Sequence, residues 1–388
     1  MPKILHLSMS DLRFDARVKR AMACGEGYGF DVQVLAPGSG VAIPPMTVRR
    51  KIDFGLSFAL ARMLGENALE TAHSRMYPYK QMLDQANAIL PDLIHAHDWD
   101  TLPIAAAIKT KLNIPIIYDT HEYAQGMHYE RRMWRYLVSP SIASLERANL
   151  SIADSVVTVS EGIAQQLQID HGLETKPSVV RNLPDYHDVS NLSGVQDDMP
   201  VNSQSRQVIM HYHGILAEGR GIELLVKTLA HLPAHYHLRL IGPERQKDFT
   251  KALRALAITL GAGERLSILP PVPPEKLVEA AASADIGFCI LENNNPHYSF
   301  ALPNRVFEYI MAGLYVITSD SPDMARVVLS DNAGAVTPTT DPEKLAQEIR
   351  SISPKQLFET RLRNLKSAKT LCWENEQVVL GKIYQRLV

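Results

Sequence analysis

Short apolar runs recur along this chain, and most are followed by a stretch with apolar residues at helical spacing. Residues 3–8, 31–36, 92–97, 114–119, 155–160 and 177–180 read as strands. Between them, 15–28, 101–111 and 127–149 carry helical periodicity, as does 55–90 with a break at Pro78, and Ser160 caps a helix starting at Glu161. The segment 190–207 then turns polar, rich in Ser, Asn, Asp and Gln, before the alternation restarts. Strands are predicted at 208–213, 236–241, 266–269, 285–291 and 314–318, with helices at 221–232, 244–260, 275–284 and 303–313. Three further helices follow at 342–352, 355–370 and 373–387.

Strand, loop, helix and strand in succession make a parallel sheet, so the pattern predicts an α/β chain with two such domains in tandem and a cleft between them. A length of 388 residues is too long for one ordinary core and agrees with this division. The first domain is expected over 1–190, a linker over 191–207 and the second domain over 208–371. The amphipathic segment 372–388 follows a finished domain, and is expected to cross back and pack on the first. The Gly-rich dinucleotide fingerprint is missing after the first strand. Gly38-Ser39-Gly40 follows the second instead, the wrong place for it, which speaks against a nicotinamide enzyme.

Composition narrows the partners. An apolar content of 46 % and a charged content of 21 % suit a soluble globular protein, and a net charge of −2 speaks against a nucleic-acid binder. Cys24, Cys289 and Cys372 are scattered, with no metal-ligand spacing, as expected for thiols in a reducing cytoplasm. The start reads as a strand rather than a signal peptide, and no apolar run approaches the roughly 18 residues of a membrane span. Arg131, Arg132, Trp134, Arg135 and Tyr136 interleave bases and aromatics, which suits either a solvated basic face or peripheral contact with anionic lipid at the inner face of a membrane.

Two clusters fall at predicted strand ends: His95, His97 and Asp98, then Thr120, His121, Glu122 and Tyr123. Ligands of open α/β sheets bind beyond such ends. The histidines suit plain hydrogen bonding better than metal ligation, and no metal is expected. The densest stretch runs from Tyr298 to Gly313. A polar loop ends at Pro303, suited to a first helical turn, and Val306, Phe307, Ile310 and Met311 make one apolar face. A helix N-terminus fed by such a loop suits phosphate. Arg305 in that first turn is unfavourable without an anion nearby, and Glu308 shares its face three residues on. A cation for diphosphate beside a carboxylate for sugar hydroxyls points to a nucleotide-sugar site; the alternative is an ordinary solvated Arg–Glu pair.

Taken in order, Asp15-Ala16-Arg17-Val18, Tyr118-Asp119-Thr120-His121-Glu122, Val159-Ser160-Glu161, Asn182, His213-Gly214 with Arg220-Gly221, and Leu302-Pro303-Asn304-Arg305-Val306-Phe307-Glu308-Tyr309 with Ala312-Gly313 resemble the retaining glycosyltransferases of family GT4 over nearly the whole chain. No single piece is specific; their order and spacing carry the match. The resemblance implies a GT-B fold, with two Rossmann-like domains facing each other across a cleft, and transfer of a sugar from a nucleotide diphosphate, UDP or GDP, to an acceptor in glycan, glycolipid or polysaccharide synthesis. It implies that Glu308 accepts from the ribose hydroxyls. Arg220, with Arg305, would clamp the diphosphate, cradled by backbone at Leu302, Pro303 and Asn304 and near the strand-end glycines Gly214 and Gly242. His121 would face the donor sugar, and Ser10 and Asp11 would approach donor phosphate and acceptor. No cofactor or metal is implied.

Three departures stand out. The first of the family's two glutamates is Phe300 here, the arginine soon after the strand-end glycine is replaced by Ile215 and Leu216, and the N-terminal loop is Ser-Met-Ser-Asp rather than Gly-rich. Two rivals therefore stay open: a catalytically silent nucleotide-sugar-binding scaffold, favoured by Phe300, and a nucleotide-sugar 2-epimerase of the same fold.

Overall fold

The computed structural model describes residues 1–13, 15–39, 41, 48–129, 131–192, 206–291 and 296–388. The chain forms two compact units: Met1–Asn182 with Asn294–Ala301 and Glu376–Val388, and Leu183–Asn293 with Leu302–Asn375. Each is built on a six-stranded sheet in which every pairing is parallel.

In the first unit the strands are β1 (Lys3–Leu7), β2 (Asp31–Leu35), β3 (Leu93–His97), β4 (Ile116–Thr120), β5 (Ser155–Thr158) and β6 (Ser178–Val179), in the order β2-β1-β3-β4-β5-β6. In the second they are β7 (Val208–His213), β8 (Tyr236–Ile241), β9 (Leu266–Leu269), β10 (Ile286–Cys289), β11 (Tyr315–Ser319) and β12 (Gly334–Thr337), in the order β12-β11-β10-β7-β8-β9. Strand order reverses between β1 and β3 in one sheet and between β7 and β10 in the other. Those reversals open the crevices where α/β sheets take ligands. One face of the central strands packs as apolar core, and the other carries buried polar side chains, among them His211 and His213 on β7 and His95 and His97 on β3. Met210, Tyr212, Leu238, Leu240, Ile286 and Phe288 are buried in the second sheet, and each large apolar side chain so buried contributes about 1.5–3 kcal/mol.

Several expected boundaries move. The first unit closes at Asn182, ahead of the anticipated linker, of which 193–205 lies outside the described residues. Pro303 stands one step before its expected place, as the N-cap of the helix Asn304–Met311, with a short helix Pro296–Phe300 ahead of it. The segment holding Phe300 belongs to the first unit. There Phe300 meets the Tyr123 ring edge-on at 5.3 Å, and its carbonyl accepts from Ser160 Oγ at 3.1 Å. The helix expected from residue 127 begins late. Trp134–Val138 is a π-helical turn leading into Ser139–Leu150, because Pro140 has no N–H to give the Tyr136 carbonyl. β12 and the helix Pro322–Ser330 were not anticipated, being short and marked only by a glycine and a proline.

The last helix, Trp373–Leu387, does return to the first unit from Glu376 onward. Glu376 takes a forked pair of bonds from Arg181, the shorter at 2.6 Å. Tyr384 is fully buried, with its hydroxyl hydrogen-bonded to His95 Nδ1 at 2.8 Å and 3.2 Å from the Ala21 carbonyl, which accepts from it.

Candidate active site

At the reversal of the second sheet, the ends of β7 and β10 gather the charged residues of the motif. β7 ends in Tyr212-His213, and alternation sends these two side chains to opposite faces. The Arg305 guanidinium lies 4.6 Å over the Tyr212 ring, while His213 Nε2 bonds Glu308 Oε2 at 2.7 Å. Arg305 is 7 % exposed, and its Nη1 is buried without a hydrogen-bond partner. No carboxylate among the described residues pairs with it. Arg220 is half-buried and likewise unpaired, on the turn before the helix Ile222–Ala230. Burial pushes the Cys289 thiol up, opposed by Arg305 and Arg220 and reinforced by Glu308, so all three charges bear on the end of β10.

Two glycines make this geometry possible. A Cβ on Gly242 would stand 1.9 Å from the Gly214 carbonyl oxygen, so the chain leaving β8 can pass the chain leaving β7 only as glycine. Gly221 has φ +71° and a Cβ there would meet Ile290 at 2.9 Å, which fixes the turn presenting Arg220. Gly214 is open on its other side, and a Cβ there would lie 4.0 Å from Arg305 Nη1. The charge that the sequence omits just after Gly214 is thus supplied beside it by Arg305.

The first sheet gathers polar residues at its own reversal, with a different outcome. Burial alone would raise the Asp119 carboxyl; the forked Arg17 guanidinium, 2.7 Å away, and His95 hold it well below the usual carboxylate range. His121 Nδ1 faces Asp98 Oδ2 at 3.3 Å. His121 Nε2 lies 2.9 Å from His97 Nδ1, and His97 Nε2 lies 2.9 Å from His6 Nδ1, each pair joined by one hydrogen bond. His6 Nε2 ends the ladder, buried and unpartnered. His97, Asp119 and His121 lie close enough to be considered as metal ligands. Tetrahedral zinc ligands, however, stand about 3.3 Å apart, whereas 2.9 Å suits a hydrogen bond, and Arg17 already neutralises Asp119.

Residues 26–185 match the Glycosyltransferase Family 4 family, and residues 196–370 match Glycosyl transferases group 1. The chain belongs to the family 4 glycosyltransferases. It is therefore an enzyme, a hexosyltransferase, and its fold is GT-B. The D-inositol 3-phosphate glycosyltransferase of Corynebacterium efficiens is 22 % identical over 311 residues, 76 % of this chain and 70 % of that one. The Corynebacterium glutamicum protein of the same name is 23 % identical over 310 residues, 76 % of this chain and 72 % of its own. The fold matches Anabaena Alr3699/HepE in complex with UDP, with TM-score 0.70 at 16 % identity over 99 % of both chains. Sucrose-phosphate synthase from Thermosynechococcus elongatus gives 0.72 at 16 % identity, over 100 % of this chain and 99 % of that one.

Within this glycosyltransferase the expected residues divide by unit. Arg220, Arg305, Glu308, Gly214 and Gly242 converge at one switch point, with Leu302, Pro303 and Asn304 at the N-terminus of the Arg305 helix, where the first N–H groups have no intrahelical acceptor. His121 has both ring nitrogens engaged by the protein. Ser10 Oγ is bonded to Asp15, the N-cap of the helix Ala16–Gly27, and Asp11 forms a forked pair with Arg13 that lowers its carboxyl to about 2. These loop residues hold the turn after β1 rather than presenting free groups. His211 and Arg239, which lie behind His213, escaped sequence reading. Their only signal was the pair of histidines at alternate positions of one strand.

Proposed function

We propose that this glycosyltransferase moves a hexosyl group from a nucleotide diphosphate sugar, with UDP or GDP as the nucleotide, and retains the anomeric configuration. The observation that carries this reading is Arg305: a buried guanidinium with no counter-charge among the described residues and an unpartnered Nη1. Burying an unpaired charge costs several kcal/mol, and a bound diphosphate would supply the missing partner. Arg220 would add the second cation and stabilise the leaving diphosphate as charge develops on it. Glu308 would accept from the ribose hydroxyls. No carboxylate stands out as a covalent nucleophile, so departure and attack on the same face is the preferred route to retention. The UDP-glucose complex of Alr3699/HepE favours uridine for the first trials, and the relatives' names place a phosphorylated inositol among the first acceptors to test. Products in glycan, glycolipid or cell-surface polysaccharide synthesis fit this chemistry.

With two arginines on the diphosphate, turnover is expected to persist in EDTA. The test is a thermal-shift panel of UDP, GDP, ADP, CDP and dTDP on the wild type and Glu308→Ala, with and without EDTA. A nucleotide at about 100 times its Kd adds roughly 2.7 kcal/mol. A shift with one nucleotide, lost in the variant and indifferent to EDTA, is expected; no shift with any of the five would overturn the reading.

A second proposal concerns location: a cytoplasmic enzyme resting on an anionic membrane face. Leu56, Leu60, Met63 and Leu64 are exposed on the helix Val48–Leu64, and Met133 and Tyr136 are exposed nearby, with Met133 Sδ 3.5 Å from the Cβ position of Gly55 on that helix. Arg62, Arg131 and Arg132 add exposed positive charge to the patch. No helix among the described residues is long and apolar enough to cross a membrane. Flotation with anionic vesicles is expected to be salt-sensitive and lost in Leu60→Glu; absence of binding at low salt would end the proposal.

A further inference from the structure

Glu308 is the last member of a hydrogen-bonded line that crosses the second sheet from β8 to the helix Asn304–Met311. Its first member is Arg239, which can only donate. Its Nε lies 3.3 Å from His211 Nδ1, so that nitrogen must accept. The His211 proton then sits on Nε2, 3.1 Å from His213 Nδ1, which must accept in turn. His213 carries its own proton on Nε2 and donates it to Glu308 Oε2 at 2.7 Å. An arginine three steps away thus dictates both tautomers. Arg239 is itself fixed by Ser283 Oγ at 2.9 Å and the Ala280 carbonyl at 3.1 Å. His211 is fully buried, and burial first, then His213 and Arg239, keep its pKa well below 6.5. It stays neutral, and the line keeps one polarity.

We propose that His211 and Arg239 are positioning residues for the donor nucleotide, acting through His213 to hold Glu308 as an acceptor for two adjacent hydroxyls. Receiving an N–H on Oε2 fixes the rotation of Glu308, and Oε1 has no protein partner among the described residues. In the opposite tautomer His213 Nε2 would be an acceptor, and Glu308 could bond it only as a protonated acid. That would take a lone pair from the hydroxyls and release the carboxyl from its present orientation. The inference rests on the reading that Glu308 meets the ribose.

The experiment measures binding of UDP, or GDP if the panel selects it, by calorimetry at a temperature where each variant is folded by circular dichroism. The 2′,3′-dideoxy form of the same nucleotide is run alongside. His211→Leu is expected to weaken the ribonucleotide about tenfold, the loss for one net hydrogen bond to a charged group, and to leave the dideoxy form unchanged. His211→Gln keeps an acceptor and a donor, and is expected to stay within about threefold of wild type. Arg239→Met is the second variant, and reports the same loss should His211→Leu not fold. In steady state the loss is expected in KM for the donor with kcat retained. Wild-type affinity in folded His211→Leu or Arg239→Met, or an equal loss for both nucleotides, would overturn the positioning role. Glu308→Gln separates the two levels. If that variant binds the ribonucleotide as wild type does, the underlying site reading fails; if it weakens binding while the line variants do not, only the positioning role fails.

Discussion

The two sheets reverse strand order in the same manner and gather polar residues at the same place, yet they settle charge in opposite ways. At β1 and β3, Asp119 meets Arg17, and three histidines bond one another. At β7 and β10, Arg305 and Arg220 have no carboxylate partner among the described residues, and of the Glu308 oxygens only Oε2 has a protein partner there. A buried charge with a protein partner is part of the scaffold; one without is a place kept for something else. The difference distinguishes structure from site more reliably than residue type does, since histidine, arginine and acid occur in both.

The comparison can be broken most forcefully at Arg17. Arg17→Ala leaves Asp119 buried and unpaired, and should cost about 3–5 kcal/mol of first-unit stability in urea unfolding. A loss below about 1 kcal/mol would mean that the pair is not structural. At Arg305 the sign should invert. Arg305→Met is expected to leave the ligand-free protein as stable or more so, because a desolvated charge is gone, while nucleotide affinity falls by about 1.5–3 kcal/mol. A large drop in ligand-free Tm would place Arg305 with the scaffold instead.

Both regions hold histidines neutral by burial, and so does His73, lowered to about 4 with Nε2 donating to the Asp100 carbonyl at 2.8 Å. A folded pKa below the unfolded value of about 6.5 gives stability that is complete above pH 6.5 and lost as pH falls toward the folded pKa. For His73 the loss from pH 6.5 to about 4 is about 3 kcal/mol, read as the difference in urea midpoint slope between wild type and His73→Gln. A variant profile as steep as wild type would remove His73 from the acid limb. Glu308→Ala should weaken the nucleotide by about 1–3 kcal/mol, checked by calorimetry, with little change in ligand-free stability because its carboxyl is partly exposed.

Much of this was legible in the residues. Buried parallel strands are near-continuous apolar runs, so eleven of twelve strands were foreseen, and Pro303 with Gly313 delimited the key helix. Arg305 and Glu308 could be placed on one face by spacing alone. What spacing could not supply was the partner. Nothing local says that Asp119 is matched from residue 17 or that Arg239 governs Glu308 from another strand. Those are register facts, set by which strand ends adjoin. The π-helical turn at Trp134–Val138 was missed for a different reason: one proline alters the hydrogen-bond ladder while leaving the apolar periodicity almost intact.

The return of the last helix has a consequence for how the chain is made. Tyr384 bonds His95 across 289 positions and reaches the Ala21 carbonyl across 363, and Glu376 holds Arg181 across 195. Domains emerging from the ribosome generally fold in order, N-terminal first. Here the leading unit must wait, with the face of β3 that receives Tyr384 uncovered, until the whole second unit has been synthesised behind it. The trailing unit ends at Asn375 and can close ahead of its predecessor.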